Sequence, residues 1–200
     1  SKTGEVLIPE MHVQISEKIK REAVALGEIL GDELWTSLPV VKTLEAQSKE
    51  SSEMLLDINW RPALSIIGAD GIPPVQTAGN VLRTNTDLKL SFRIPPGVKA
   101  DDVQEILKQV LEDNPPYGAE VSYEPTEPAD GVHAPPLHEG VASALESASV
   151  HLTGHPPMAT WIGGTIPFMA MIQGKFPEAC FLCTGSSGPG NNAHGPDEKL

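Results

Sequence analysis

Thr86-Asp87-Leu88-Lys89-Leu90-Ser91-Phe92-Arg93-Ile94-Pro95-Pro96-Gly97 alternates apolar and polar residues without a slip from Asp87 to Ile94. A period of two predicts a half-buried strand, with Leu88, Leu90, Phe92 and Ile94 toward a core and Asp87, Lys89, Ser91 and Arg93 on the other face. Pro95-Pro96-Gly97 stops the strand, because proline cannot donate to a ladder and glycine suits the turn. A helix is expected from Asp101, where Asp101 and Gln104 form a capping-box-like pair. Val103, Ile106, Leu107, Val110 and Leu111 recur beyond it at helical spacing and predict its buried stripe. Asn114-Pro115-Pro116 ends that helix, and Ala119 to Tyr123 reads as a returning strand.

Working upstream, Pro62 to Ile67 reads as another strand, followed by the loop signal Asp70-Gly71-Ile72-Pro73-Pro74. Ser16 to Leu30 reads as a helix, with Ile15, Ile19, Ala23, Leu26 and Ile29 on one side and Gly31 as its stop. Between them, Asp32 to Asp57 is polar, with short helices expected around Trp35-Thr36-Ser37-Leu38-Pro39. A helix and then strand, strand, helix, strand make most of an α+β ferredoxin-like domain, whose first strand would precede Ser1.

Downstream, Glu124 to Pro136 is a Pro-, Ala-, Asp- and Gly-rich linker. A helix carrying Val141, Leu145, Ala148 and Leu152 follows. A strand at Met158–Ile162, a helix after Thr165 and a strand at Ala179–Thr184 complete the pattern. Alternating helices and strands predict part of an α/β sheet. The expected organisation is therefore 1–123, a linker at 124–136, and 137–200.

Composition bounds the function. The 200 residues are 40% apolar and carry a formal charge of −13, which opposes binding to phosphate backbones. Nucleic acid is not expected as a partner. No run of eighteen apolar residues occurs, so no membrane-spanning helix is expected. Cys180-Phe181-Leu182-Cys183 has CxxC spacing, but it falls in an apolar run that reads as a buried strand. Residues three apart on a strand point to opposite faces, so core packing is expected, not a shared metal or a disulfide. Two free thiols suit the cytosol.

Two stretches carry chemistry. Trp161-Ile162-Gly163-Gly164-Thr165-Ile166-Pro167-Phe168 reads as an apolar strand that turns on glycines into a helix. Thr165 is its expected N-cap, and Pro167 suits the first turn because its missing N–H has no helical partner there. Exposed N–H groups at such a turn suit a carboxylate or a developing oxyanion. Farther on, Gly188-Pro189-Gly190-Asn191-Asn192-Ala193-His194-Gly195-Pro196-Asp197-Glu198 presents one imidazole on a braced loop. Such a histidine serves as a metal ligand, as a proton carrier or as an ordinary loop residue.

The order of the motifs resembles a known family. Trp60-Arg61-Pro62-Ala63-Leu64-Ser65-Ile66-Ile67-Gly68, Thr77-Ala78-Gly79-Asn80-Val81-Leu82, the Ser91-Phe92-Arg93-Ile94-Pro95-Pro96-Gly97 segment, the Gly163-Gly164-Thr165 turn and the His194 loop follow one another. This succession is similar to the carnosinase, glutamate carboxypeptidase and acetylornithine deacetylase family of dinuclear zinc peptidases. The details lie nearer its dipeptidase branch, and the resemblance runs from about Gly4 to Leu200. It implies an incomplete ferredoxin-like lid (dimerisation) domain at 1–123 and the C-terminal α/β part of a catalytic domain at 137–200.

The resemblance also implies roles. Arg93 would bind the C-terminal carboxylate of a peptide in the partner subunit's site, for which a planar guanidinium fork is suited. Asn80 would contact the substrate backbone, while Gly164 and Thr165 would hold its carboxylate. His194 would be a ligand of one of two zinc ions, with manganese as the alternative metal. Attack by a metal-activated water, with a Glu general base, is the implied reaction. The family's His-x-Asp motif and Glu pair have no match here, so no catalytic residue is assigned in this chain and tight zinc binding is not expected of it. His12, His133, His138, His151 and His155 match no family motif. The implied protein is a homodimer acting on small peptides, and the free thiols make the cytoplasm its expected location. A non-catalytic oligomerisation module and an unrelated α+β binding protein remain the alternatives.

Overall fold

The computed structural model describes the chain except at positions 2, 3, 39, 42, 47, 127, 133, 162–165, 186–189, 193, 194 and 200. The alternating segment forms the sheet. Strand β1 (Ala63–Asp70) and strand β2 (Asp87–Arg93) pair antiparallel, with Ala63 opposite Arg93 and Asp70 opposite Asp87. The register shifts between Ile66 and Gly68, so Ile67 is an extra residue, a β-bulge. The bulge has a purpose legible in the pairs. Leu64 faces Phe92 and Ile66 faces Leu90; after the slip, Ala69 rather than Gly68 faces Leu88. One apolar face is thus preserved along the ladder, and Ser65, Ser91, Lys89 and Arg93 share the opposite, polar one.

Helix α1 (Glu17–Leu30) begins where Ser16 Oγ accepts from the Ile19 amide, and it ends at Gly31, whose φ of 51° suits glycine. A short helix α2 (Glu33–Thr36) follows. Helix α3 (Ser51–Trp60) packs against α1, burying Leu55, Leu56 and Trp60 on Ala23 and Leu26. Each such leucine contributes about 1.5–3 kcal/mol by leaving water. Gly27 allows the close approach, and Ser51 Oγ donates to the Gly31 carbonyl at 3.2 Å.

Helix α4 (Ala100–Glu112) covers one end of the apolar sheet face. Ile94, Val98, Val103 and Leu107 form a core with Val6 and Met11, against which Phe92 and Tyr123 pack. Burial fades back along β2 from Ile94, which follows the strand and is buried: Phe92 and Leu90 are half-buried, and Leu88 is exposed. His12 takes part in this cluster's frame, its Nε2 donating to the Val6 carbonyl at 2.7 Å. Val13 touches both cores and joins them.

Several expectations are corrected. The helix over 51–60 begins inside and runs past the stretch 32–57 that reads as polar with short helices, because its apolar residues face α1 over barely three turns. Val110 is exposed, since α4 meets the sheet along a narrower stripe through Val103 and Leu107. The Asp101–Gln104 capping pair is replaced: α4 starts after Lys99, without a cap from that side chain, and Asp130 accepts from the Ala100 amide.

The strand expected at Ala119–Tyr123 is absent, and the Tyr123 amide instead donates to Glu112 Oε1 at 2.8 Å. Residues 158–161 and 179–184 likewise form no ladder, and Ala179 closes a turn onto the Phe176 carbonyl. A strand exists only with a neighbour, and no described segment pairs with these. Cys180 is therefore half-buried and Cys183 exposed, instead of packed in a core strand.

Helix α5 (Glu139–Thr153) and helix α6 (Pro167–Lys175) form as the sequence predicts, but neither buries a residue. Pro167 does occupy the first turn of α6, while the cap position falls to Ile166.

Candidate functional site

Arg93 is the last residue of β2, exposed on the polar face and opposite Ala63. Its position follows from the alternation: Phe92 and Ile94 turn inward to α4, so the guanidinium leaves on the other side. Pro95, fully buried, and the clustered Val98 fix the backbone just beyond it. A charged, forked donor on a rigid strand end is suited to a carboxylate.

Asn80 is exposed in the connection between Asp70 and Asp87. That connection springs from the opposite end of the ladder to Arg93, a strand length of roughly 20 Å away at its root. Gly71, with φ 75° and no room for a side chain beside the Asn85 carbonyl, starts it. Gly164, Thr165 and His194 lie outside the described residues. Their flanks are placed: Trp161 packs on the end of α3, and Pro167 opens α6.

Among the described residues, no three His, Cys, Asp or Glu side chains converge as a metal-binding group. The described part of the chain does not by itself fit a zinc ion, and no reaction step is assigned through one. Nor is any described helix long and apolar enough to cross a membrane.

Two charged arrangements near the sheet include contacts that sequence reading does not reach. Arg61, just before β1, donates from Nη1 to Asp57 Oδ1 at 2.5 Å and from Nη2 to Glu53 Oε2 at 2.7 Å. Burial alone would lower its pKa, but these carboxylates outweigh that and raise it. The Arg61–Asp57 spacing of four was legible on a helix end, and the Glu53 contact, eight residues back, was not. The second arrangement joins Lys99 and Asp130, Nζ to Oδ2 at 2.8 Å. The Lys99 hydrogen bond, followed by the Ala100 N–H, holds the Asp130 carboxyl below its ordinary pKa. Thirty-one residues separate the pair, and no local pattern announces it.

No protein-family model matches the chain. It is 29% identical over 154 residues to a cysteinylglycine-S-conjugate dipeptidase of Corynebacterium striatum, a match over 72% of this chain and 32% of that protein. Its fold matches the di-peptidase Dug1p of Saccharomyces cerevisiae with a TM-score of 0.68 and 22% identity, over 100% of this chain and 42% of the other. An M20 family metallo-carboxypeptidase of Sulfolobus solfataricus gives 0.66 at 17% identity, over 99% and 44%. Human carnosine dipeptidase 1 gives 0.62 at 20%, over 87% and 37%. The chain spans about a third of the curated relative's length. In sequence its relative is a dipeptidase, and in fold it matches dipeptidases and an M20 family metallo-carboxypeptidase, the group its motifs resemble.

Proposed function

We propose that this chain is part of a metal-dependent peptidase that hydrolyses the amide bond of dipeptides or small peptides. One observation carries the reading: a sequence match to a dipeptidase coincides with a fold match over the whole chain to a di-peptidase structure. Residues 1–123 are then an incomplete ferredoxin-like lid, 124–136 a linker and 137–200 the C-terminal part of a catalytic domain. The uncovered apolar side chains of α5 and α6, such as Leu152 and Phe168, support the last assignment, since such faces normally pack within a larger domain.

In this reading the chain's contribution is to bind and orient. Arg93 pairs with the substrate's C-terminal carboxylate, Asn80 bonds its backbone, and Gly164 and Thr165, which precede α6 in sequence, hold the carboxylate. His194 ligates zinc, or manganese, whose chemistry is the activation of water. The general base comes from outside this chain. The lid dimerises, so that Arg93 serves the partner subunit's site, and the protein is cytoplasmic. The second edge of β1, where no described strand pairs, supports dimerisation by sheet extension. A strict monomer of the longer protein in light scattering would remove that part.

The decisive experiment uses a longer protein that contains this chain and hydrolyses peptides. Arg93→Lys keeps the charge and loses the two-pronged geometry. With about 1.5–3 kcal/mol carried by charged hydrogen bonds, kcat/KM for peptides with a free carboxylate should fall roughly ten- to hundred-fold. C-terminally amidated peptides should lose far less. Unchanged kinetics on both would take Arg93 out of the site.

A further inference from the structure

The stretch over 124–136 has the composition of a linker and contains no helix or strand among its described residues. Part of it is nevertheless tied down at both backbone and side chain. We propose that Asp130 and Gly131 form a clamp that fixes this connector to the β2–α4 turn, so that α5 and α6 depart from a set point and not from a free tether.

The clamp has two halves. In the backbone half, the Gly97 amide donates to the Gly131 carbonyl and the Gly131 amide donates to the Val98 carbonyl, both at 3.3 Å. Only glycine fits there: a Cβ on residue 131 would collide with the Pro95 carbonyl oxygen. Pro95 is fully buried and cannot withdraw. In the side-chain half, Asp130 Oδ1 accepts from the Ala100 amide at 2.9 Å and Oδ2 accepts from Lys99 Nζ at 2.8 Å. The carboxylate thus caps the first turn of α4 from thirty residues away, where the helix dipole favours negative charge. A local cap would have ordered the helix alone; this one orders the helix and the connector together.

The clamp also stands at a junction. A cleft of about 300 Å³ separates Lys99, Asp130 and Gly131 from Ala170, Gln173 and Gly174 of α6. Arg93 lies two residues before Pro95 on the same backbone. The geometry therefore ties the end of β2 to the segment leading into the C-terminal elements. This inference does not depend on the peptidase reading.

Amide hydrogen exchange on the chain tests it. In Asp130→Ala, the amides of Gly97, Ala100 and Gly131 should exchange about five- to thirty-fold faster, as expected for loss of a charged cap. The amides of Ala23, Leu26 and Leu55, in α1 and α3, should be unaffected. Cleavage by a nonspecific protease between 124 and 136 should accelerate in parallel. Gly131→Ala should produce the same local opening; should it fail to fold, Asp130→Ala carries the test. Unchanged exchange at the three amides in Asp130→Ala would overturn the clamp, and so would equal acceleration throughout α1 and α3.

Discussion

Trp60 and Trp161 meet edge to face, with ring centroids 6.1 Å apart and planes at 84°. The contact joins the last residue of α3 to a segment a hundred residues later, just before the Gly163-Gly164-Thr165 motif in sequence. Edge-to-face pairs contribute about 0.5–1.5 kcal/mol beyond burial. A double-mutant cycle of Trp60→Leu and Trp161→Leu in urea should give a coupling energy in that range. Additive single effects would show that the rings are adjacent without supporting one another.

That contact marks the boundary of what the sequence disclosed. The β2 alternation, the stop at Pro95-Pro96-Gly97 and helices α1, α4, α5 and α6 were legible because each is encoded by a local period and its punctuation. The strands expected at 119–123, 158–162 and 179–184 carried a local signal too. Strand formation depends on a partner, however, and a local run of Val, Ile or Cys cannot specify one. The bulge at Ile67 and the Asp130 cap were hidden for the same reason, since both are relations between distant segments. Of the candidate site, the position of Arg93 on the polar face was readable from alternation alone. Its proposed company was not, since Asn80 is rooted at the other end of the hairpin and Gly164, Thr165 and His194 lie outside the described residues.

Gly27 offers a test of packing against propensity. Replacing a mid-helix glycine by alanine normally stabilises by up to about 1 kcal/mol. Here the added Cβ would lie 3.0 Å from the Ser52 amide nitrogen and 3.2 Å from the Ser51 Cβ, where α3 crosses α1. The nearer neighbour is backbone, so relief requires the helices to separate. Gly27→Ala should therefore destabilise, by about 1–3 kcal/mol as for other overpacked cores. A higher unfolding midpoint in the variant would mean that α1 and α3 are less closely apposed than described.

Acid should loosen the Asp130 contact with a defined sign. The folded-state pKa of Asp130 is lowered, first by the Lys99 hydrogen bond and then by the Ala100 amide. Its contribution is thus fully present above the unfolded value, about 3.9, and is lost as pH falls through the lower folded value. Lys99 is raised by the same bond, so its share persists up to about pH 10.4 and fades above. The stability difference between the chain and Asp130→Asn should be flat from pH 5 to 8 and shrink below pH 4. A difference that grows on acidification would contradict the assignment.

Metal binding separates what this chain holds from what it lends. Within the peptidase reading, His194 is the ligand that the motifs assign here, whereas a catalytic zinc normally takes about three protein ligands and an open position for water. Affinities of complete structural sites, on the order of 10–16 kcal/mol, arise from full ligand sets. A single imidazole with no general base should give neither tight binding nor turnover. The chain alone should emerge from gel filtration with zinc far below one equivalent, and should leave a dipeptide uncleaved in added zinc or manganese. His194→Ala should not change either result in the chain alone, yet should abolish hydrolysis in a longer, active protein. Stoichiometric metal with measurable cleavage by the chain itself would require a ligand set and a base within these 200 residues, and the division of labour proposed here would fall.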